Sequence, residues 1–316
     1  MRRLAVVVAC SVLLLAVAIG GFGHFVDLSR FNPSKSVAAA ETPVSSGAGS
    51  LTGVLPRSPG YSETSTEIMT VYHNVTYASP DGEPLLLDAY IPNGGVHPAV
   101  IVIHGGGWTY GDKQELAFEG ENLAAAGFGA FVVNYRLAPP NGDVHAPVAL
   151  HDVSTALDWV RDNAVTYRID ADRVGVLGNS AGGNLAMMLG VGGANGIDHV
   201  NAVVSYSGQS NLLTLSTRHT IHAATNYIGC AATTCRAVWI ANSPIDHCTA
   251  ATAPMLLVNS TDELMPLDQA TDMAARLNQV GVPHELKVLK GKKHASEFAN
   301  EVWPETLDFL NQYLGS

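Results

Sequence analysis

Ser180 lies in the segment whose residue types most clearly point to chemistry, Gly178-Asn179-Ser180-Ala181-Gly182. This segment follows the apolar run Val174 to Leu177 and precedes a stretch with helical spacing. A serine on a sharp strand-to-helix turn needs small neighbours to avoid collisions, and the helix N-terminus favours developing negative charge. A serine that only caps a helix is the alternative. Because strand, turn and helix agree here, the segment predicts a nucleophilic serine.

A run of three glycines is the second such feature. Ile101 to Ile103 lead directly into His104-Gly105-Gly106-Gly107-Trp108. Consecutive glycines are costly for folding unless the backbone must approach something that a Cβ would block, and a merely flexible loop would not explain why the run ends a strand. We predict that the amides of Gly105, Gly106 and Ala181 form an oxyanion hole, each lowering the barrier by about 3 kcal/mol.

The elements that must position these residues alternate along the chain. Short apolar runs are typical of strands buried on both faces of a parallel sheet. They are 99–103, 129–134, 173–177, 202–206, 255–259 and 285–289, and an antiparallel pair, 70–77 and 85–91, precedes them. Helical spacing recurs at 113–126, 147–163, 181–189, 267–280 and 297–313. The pattern predicts an α/β fold with a mostly parallel eight-stranded sheet, helices on both faces, and a site at the carboxyl edge of the strands.

Composition divides the chain into regions. Residues 32–66 are rich in Ser, Pro, Gly, Ala and Thr, a composition that buries too little apolar surface to fold and indicates a linker. We predict a catalytic domain over residues 67–316. Within it, residues 209–247 exceed the length of a simple crossover, so we expect an insertion that forms a small lid or wall over the site.

From roughly Val71 to Leu314 the chain resembles the α/β-hydrolase esterases related to hormone-sensitive lipase, a group that includes carboxylesterases and carbohydrate-acyl esterases. The resemblance rests on residues 104–108, on Asn134-Tyr135-Arg136-Leu137-Ala138-Pro139, on residues 178–183, and on a late Asp and His. Many relatives carry Asp where this chain has Asn179. The resemblance implies hydrolysis of short to medium acyl esters through an acyl-enzyme, without a cofactor or a metal, with a small-molecule ester as substrate.

In that fold the triad follows the chain order Ser, then Asp or Glu, then His. Asp262 follows the apolar run 255–259, where the resemblance places the triad carboxylate, and Glu263 beside it is expected to point the other way. His294 lies between the last strand and the last helix, where the resemblance places the base. His284 lies at the beginning of a predicted strand, whereas the site is expected at the carboxyl ends of the strands. His247 precedes Asp262 in the chain, so both histidines are weaker candidates for the base. We therefore predict the triad Ser180, Asp262 and His294.

Trp108 and Tyr110 follow the glycine run, and we predict that they line the entrance of the substrate pocket. Two other functions stay open: a serine peptidase resembling the prolyl oligopeptidase group, for whose large N-terminal domain this chain has no room, and a non-catalytic binding protein on the same scaffold. Retention of all three triad candidates argues against the second.

The N-terminus predicts export. Arg2-Arg3 precede Leu4 to Gly23, a run in which only Ser11 is polar. Residues 1–31 are therefore expected to be a signal peptide or a membrane anchor, and residues 4–23 are just long enough to span a bilayer. The leading positive charges favour a cytoplasmic N-terminus with the catalytic domain outside the cytoplasm, either secreted or held at the cell envelope.

Cysteine usage and charge set two further limits. An oxidising compartment permits one disulfide among Cys230, Cys235 and Cys248, and the short Cys230 to Cys235 loop makes that pair the preferred one. The formal net charge of −11 over 316 residues would repel phosphate backbones, which argues against a nucleic-acid partner. The oligomeric state is left open.

Overall fold

The computed structural model describes residues 60–192 and 200–315. Nine strands of these residues form one sheet in the order β1-β2-β3-β5-β4-β6-β7-β8-β9. The strands are β1 (Ser62–Ser65), β2 (Met69–Ala78), β3 (Leu85–Pro92), β4 (His97–Ile103), β5 (Gly129–Val133), β6 (Ile169–Asn179), β7 (Ala202–Tyr206), β8 (Met255–Ser260) and β9 (His284–Leu289). The pairs from β5 through β4 to β9 are parallel, while β1, β2 and β3 pair antiparallel and β3 joins β5 antiparallel.

The described residues form eight α-helices, of which the first, second, fourth, seventh and eighth fall on the stretches with helical spacing. They are α1 (Ala117–Ala125), α2 (Val148–Asp162), α3 (Ala164–Tyr167), α4 (Ala181–Val191), α5 (Arg218–Ile228), α6 (Ala232–Ala241), α7 (Asp268–Val280) and α8 (Ala299–Leu314). The predicted helix over 113–126 is divided, because residues 113–116 form a 3-10 turn before α1.

The buried strands explain why the apolar runs are continuous. In β4, Ile101 and Ile103 pack into the hydrophobic layer on one face of the sheet, and Val100 and Val102 pack into the layer on the other face. All four are fully buried. Since side chains of a strand alternate between the two faces, a strand covered by helices on both sides must be apolar at every position.

The beginning of the sheet differs from the prediction in one strand. Ser62–Ser65, assigned to the linker, forms the edge strand β1 against β2, so the sheet has nine strands and not eight. All four residues of β1 are exposed. An exposed edge strand is held by backbone hydrogen bonds and lacks the apolar alternation by which a strand is recognised in a sequence.

The predicted insertion over 209–247 contains α5 and α6, with 3-10 turns at Leu212–Thr214 and Pro244–His247. The preferred disulfide, Cys230 to Cys235, joins the end of α5 to α6, and Cys248 is a buried free thiol. Residues 1–59, which include the predicted export segment and most of the predicted linker, lie outside the described residues. Among the described residues, no helix has both the length and the apolar character that a membrane crossing requires.

Candidate active site

Ser180 occupies the strand-to-helix turn in a strained conformation. It joins β6 to α4 with φ 53° and ψ −115°, a region that non-glycine residues rarely adopt. Its amide donates to the carbonyl of Tyr206 at 2.7 Å. A Cβ at Gly182 would lie 2.1 Å from the carbonyl oxygen of Ile103, so the helix approaches β4 as closely as only a glycine allows. The predicted turn is confirmed, and strain of this kind persists where a function requires it.

The glycine run lies directly against this turn. A Cβ at Gly105 would meet the carbonyl oxygen of Asn179 at 2.9 Å and the Cβ of Ser180 at 3.2 Å. Gly105 and Gly106 border the same cavity as Ser180, and Ala181 is the first residue of α4. Amides of first-turn helix residues have no partner inside their own helix. The three residues of the predicted oxyanion hole are therefore neighbours of Ser180, and their role stays a prediction.

A buried tyrosine holds the glycine run in place. The hydroxyl of Tyr135 donates to the carbonyls of His104 at 3.1 Å and Gly105 at 3.3 Å. Its ring stacks on the His104 imidazole with 4.4 Å between centroids. Burial lowers the pKa of His104, which disfavours a charged imidazolium beside the run. These contacts fix the direction of both carbonyls. The amides of Gly105 and Gly106 belong to the same two peptide groups, so their direction is fixed as well.

His294 lies where the sequence predicted, in the loop between β9 and the 3-10 turn Ala295–Phe298. Its backbone amide donates to the Glu297 carboxylate at 2.8 Å, and the Glu297 amide donates back to the His294 carbonyl at 3.1 Å. This reciprocal cap fixes the backbone that carries the imidazole. Neither His247 nor His284 borders the cavity, whereas His294 and Ser180 both do.

The carboxylate beside His294 belongs to Glu263, and the prediction of Asp262 is wrong. Oε2 of Glu263 contacts Nδ1 of His294, and the Glu263 side chain is completely buried. Asp262 is exposed, and its carboxylate accepts from its neighbour Thr261 at 2.8 Å.

The physical reason is backbone pairing beyond the end of β8. The amides of Thr261 and Asp262 continue the ladder to the carbonyls of Leu289 and Gly291, both at 2.9 Å. The chain turns only after this pairing. Glu263 therefore folds back, and its Oε1 accepts the Ser260 amide at 2.7 Å. With Nδ1 of His294 facing a carboxylate, Nε2 is left free to accept a proton.

The cavity above Ser180 has a volume of about 210 Å³. His219 and Thr220 of α5 border it, so the insertion supplies a wall as predicted. Tyr110 stands at its edge and is 61% exposed. Trp108 does not border the cavity, and the prediction that it lines the entrance is wrong. It is 1% exposed and stacks on Tyr227 of α5 with 4.5 Å between ring centroids, so it joins the glycine run to the insertion.

The structure adds a buried carboxyl that the sequence analysis missed. Glu119 of α1 accepts from the side chain of Asn179, the residue before Ser180, at 3.2 Å. Burial raises its pKa. The amide of Asn179 can donate this hydrogen bond, whereas an ionised aspartate could not. Glu119 is therefore a suitable partner for the asparagine that this chain has where many relatives have Asp. Glu119 shares α1 with Glu121 and Asn122, so nothing in the local sequence distinguishes it.

The chain is similar to known proteins in sequence and in fold. The BD-FAE family profile matches residues 87–277. The chain is 41% identical over 95 residues to an arylacetamide deacetylase of Bos taurus, which is 28% of this chain and 22% of that protein. The chain spans less than a third of the length of the first curated relatives that it matches.

Two solved structures show the same fold. A truncated carbohydrate esterase from gut microbiota has a TM-score of 0.70 at 22% identity, covering 79% of this chain and 98% of that one. An acetyl ester-xyloside bifunctional hydrolase from Caldicellulosiruptor lactoaceticus has a TM-score of 0.60 at 25% identity, covering 72% and 85%.

Proposed function

Because the chain belongs to the BD-FAE family, we propose that it hydrolyses carboxylic esters, with Ser180 as nucleophile, His294 as general base and Glu263 as the residue that orients the base. The observation that carries this proposal is the pairing of the His294 imidazole with a buried carboxylate in the cavity of a strained serine. A structural histidine needs no such partner, whereas a general base needs a fixed tautomer.

In the proposed reaction, Nε2 of His294 takes the Ser180 proton while Oγ attacks the ester carbonyl carbon. The carbonyl electrons move to oxygen, and the resulting oxyanion faces the amides of Gly105, Gly106 and Ala181. When the tetrahedral intermediate collapses, the C–O bond to the alcohol breaks and His294 returns the proton to the leaving oxygen. Water then attacks the acyl-enzyme by the same route and restores Ser180.

We infer that the acyl group is short and the alcohol polar. The cavity of about 210 Å³ is bordered by polar side chains of Glu115, Gln209, His219 and Ser296 as well as by Leu264 and Met265. So small and mixed a space does not suit a long alkyl chain, since burying polar groups against an alkyl chain leaves them unpaired. The two structural relatives, a carbohydrate esterase and an acetyl ester-xyloside bifunctional hydrolase, support the same choice.

A panel of p-nitrophenyl esters of increasing acyl length tests this proposal. We expect kcat/KM for the acetate and butyrate esters to exceed that for the laurate ester by about 100-fold, because excess methylenes do not fit the cavity. Steady-state rates below the micellar concentration of each ester give the comparison. A laurate ester hydrolysed as fast as the butyrate would contradict the size assignment, and no turnover of any ester would contradict the function itself.

We also propose that the chain is exported, with residues 1–31 as a signal peptide or an anchor through residues 4–23. The Cys230 to Cys235 disulfide supports this, since disulfides persist in oxidising compartments. After expression of the full chain in a bacterial host, we expect the protein in the periplasm or envelope fraction. Intact-mass measurement decides between cleavage and retention of the segment, and recovery of the uncleaved chain in the cytoplasm contradicts export.

A further inference from the structure

Ser207 is a buried hydroxyl residue next to the proposed triad. It directly follows β7, is fully buried, and its amide donates to the Val258 carbonyl of β8 at 2.8 Å. Its φ is 53°, in the left-handed region where glycine is the favoured residue. A serine at such a position indicates that its side chain has a use, because glycine would adopt the same backbone without strain.

The Ser207 hydroxyl joins the two loops that carry the acid and the base. Its Oγ donates to Oε1 of Glu263 at 2.8 Å and accepts from the amide of Ala295 at 3.0 Å. Ala295 directly follows His294. The Ser207 hydroxyl, just after the end of β7, therefore contacts both the Glu263 carboxylate and the backbone next to His294.

We propose that Ser207 is a positioning residue that holds the Glu263 carboxylate in register with His294, an inference that rests on the proposed function. Two donors, Ser207 Oγ and the Ser260 amide, fix Oε1 and so leave Oε2 to face the imidazole. Without the hydroxyl, the carboxylate can rotate about its last bond, and the Ala295 amide loses its acceptor. Hydrogen bonds to charged groups are the stronger class, so this one carries much of the alignment.

The test replaces Ser207 by Ala and, separately, by Gly, which removes the hydroxyl while relieving the positive φ. We expect both variants to lower kcat for p-nitrophenyl butyrate by about 10- to 100-fold with KM changed less than about twofold. Ser243→Ala is the matched control. Ser243 is also fully buried, and its Oγ likewise accepts one backbone amide, from Leu212 at 3.0 Å, and donates once, to the Trp239 carbonyl at 2.8 Å.

The control separates alignment from stability. We expect Ser243→Ala to lower the melting temperature as Ser207→Ala does while kcat stays within about threefold of the parent. A kcat loss in Ser243→Ala equal to that in the Ser207 variants would overturn the positioning role, and so would full activity in folded Ser207→Gly.

A double-mutant cycle distinguishes this inference from the proposed function. If Ser207 acts through Glu263, adding Ser207→Ala to Glu263→Ala lowers kcat by less than about twofold further. Independent, multiplying losses would overturn the inference and leave the triad intact. If Glu263→Ala alone keeps full activity, the assignment of the acid has failed, and Ser207 falls with it.

Discussion

Replacing Ser180 by Ala is expected to lower kcat for a short-chain ester by about 10⁶-fold, the magnitude found when the nucleophile of a serine hydrolase triad is removed. Ala keeps the Cβ and the strained backbone of the turn, so the variant should melt within a few degrees of the parent protein. The reason for the large effect is that the oxyanion hole and the base act on an intermediate that forms only through Oγ.

Hydrolysis of p-nitrophenyl butyrate, followed by single-turnover and steady-state rates, measures this effect, with circular dichroism as the folding control. A folded Ser180→Ala variant that keeps more than about 1% of the parent kcat is inconsistent with an acyl-enzyme on this residue.

The second large effect distinguishes Glu263 from Asp262 as the residue that orients His294. Glu263→Gln is expected to lower kcat by about 10⁴-fold, because an amide in place of the carboxylate favours the wrong tautomer of His294 and cannot stabilise the imidazolium. Asp262→Asn is the matched control at the next position. Its carboxylate is exposed and bonded to Thr261, so we expect kcat within about threefold of the parent.

Rates of the two variants and the parent on one ester, measured at the same set of pH values, give the comparison. The reverse pattern, with Asp262→Asn inactive and Glu263→Gln active, would return the triad acid to the position that the sequence alone favoured. Equal, small effects in both variants would mean that no carboxylate orients His294.

The predictable parts of this molecule are those set by local sequence. The turn at Ser180 needs small residues at fixed offsets between a buried strand and a helix, and these are visible in the chain. The central strands contain continuous apolar runs because both faces of the sheet are covered. The place of His294 follows from the order of strands and helices in such a fold.

The parts that failed depend on contacts between distant segments. Whether Asp262 or Glu263 faces the imidazole is decided by how far β8 keeps pairing with the chain after β9, and no spacing within residues 255–266 contains that information. Trp108 is core because Tyr227 of the insertion stacks on it. Strand β1 is polar and exists only because β2 offers an unpaired edge.

The site also shows how support is distributed through the fold. Hydrogen bonds from Tyr135 fix the glycine run, Glu119 bonds Asn179 beside Ser180, and Ser207 connects the loops that carry Glu263 and His294. Tyr135 and Ser207 each follow a strand other than those that lead into the residues they support, whereas Glu119 lies on the helix α1. Geometry held from several strands is the arrangement expected where catalytic groups must be placed within a fraction of an ångström.

Covalent labelling shows whether Ser180 carries an activated hydroxyl. The protein is incubated with diethyl p-nitrophenyl phosphate, an organophosphate that reacts with activated serine hydroxyls, and digested, and the adduct is located by peptide mass spectrometry. We expect one diethylphosphoryl group per chain, on Ser180, and we expect it to appear in step with the loss of esterase activity. The Ser180→Ala variant should carry no such group. An adduct on another residue, or complete inhibition with Ser180 unmodified, would contradict this expectation.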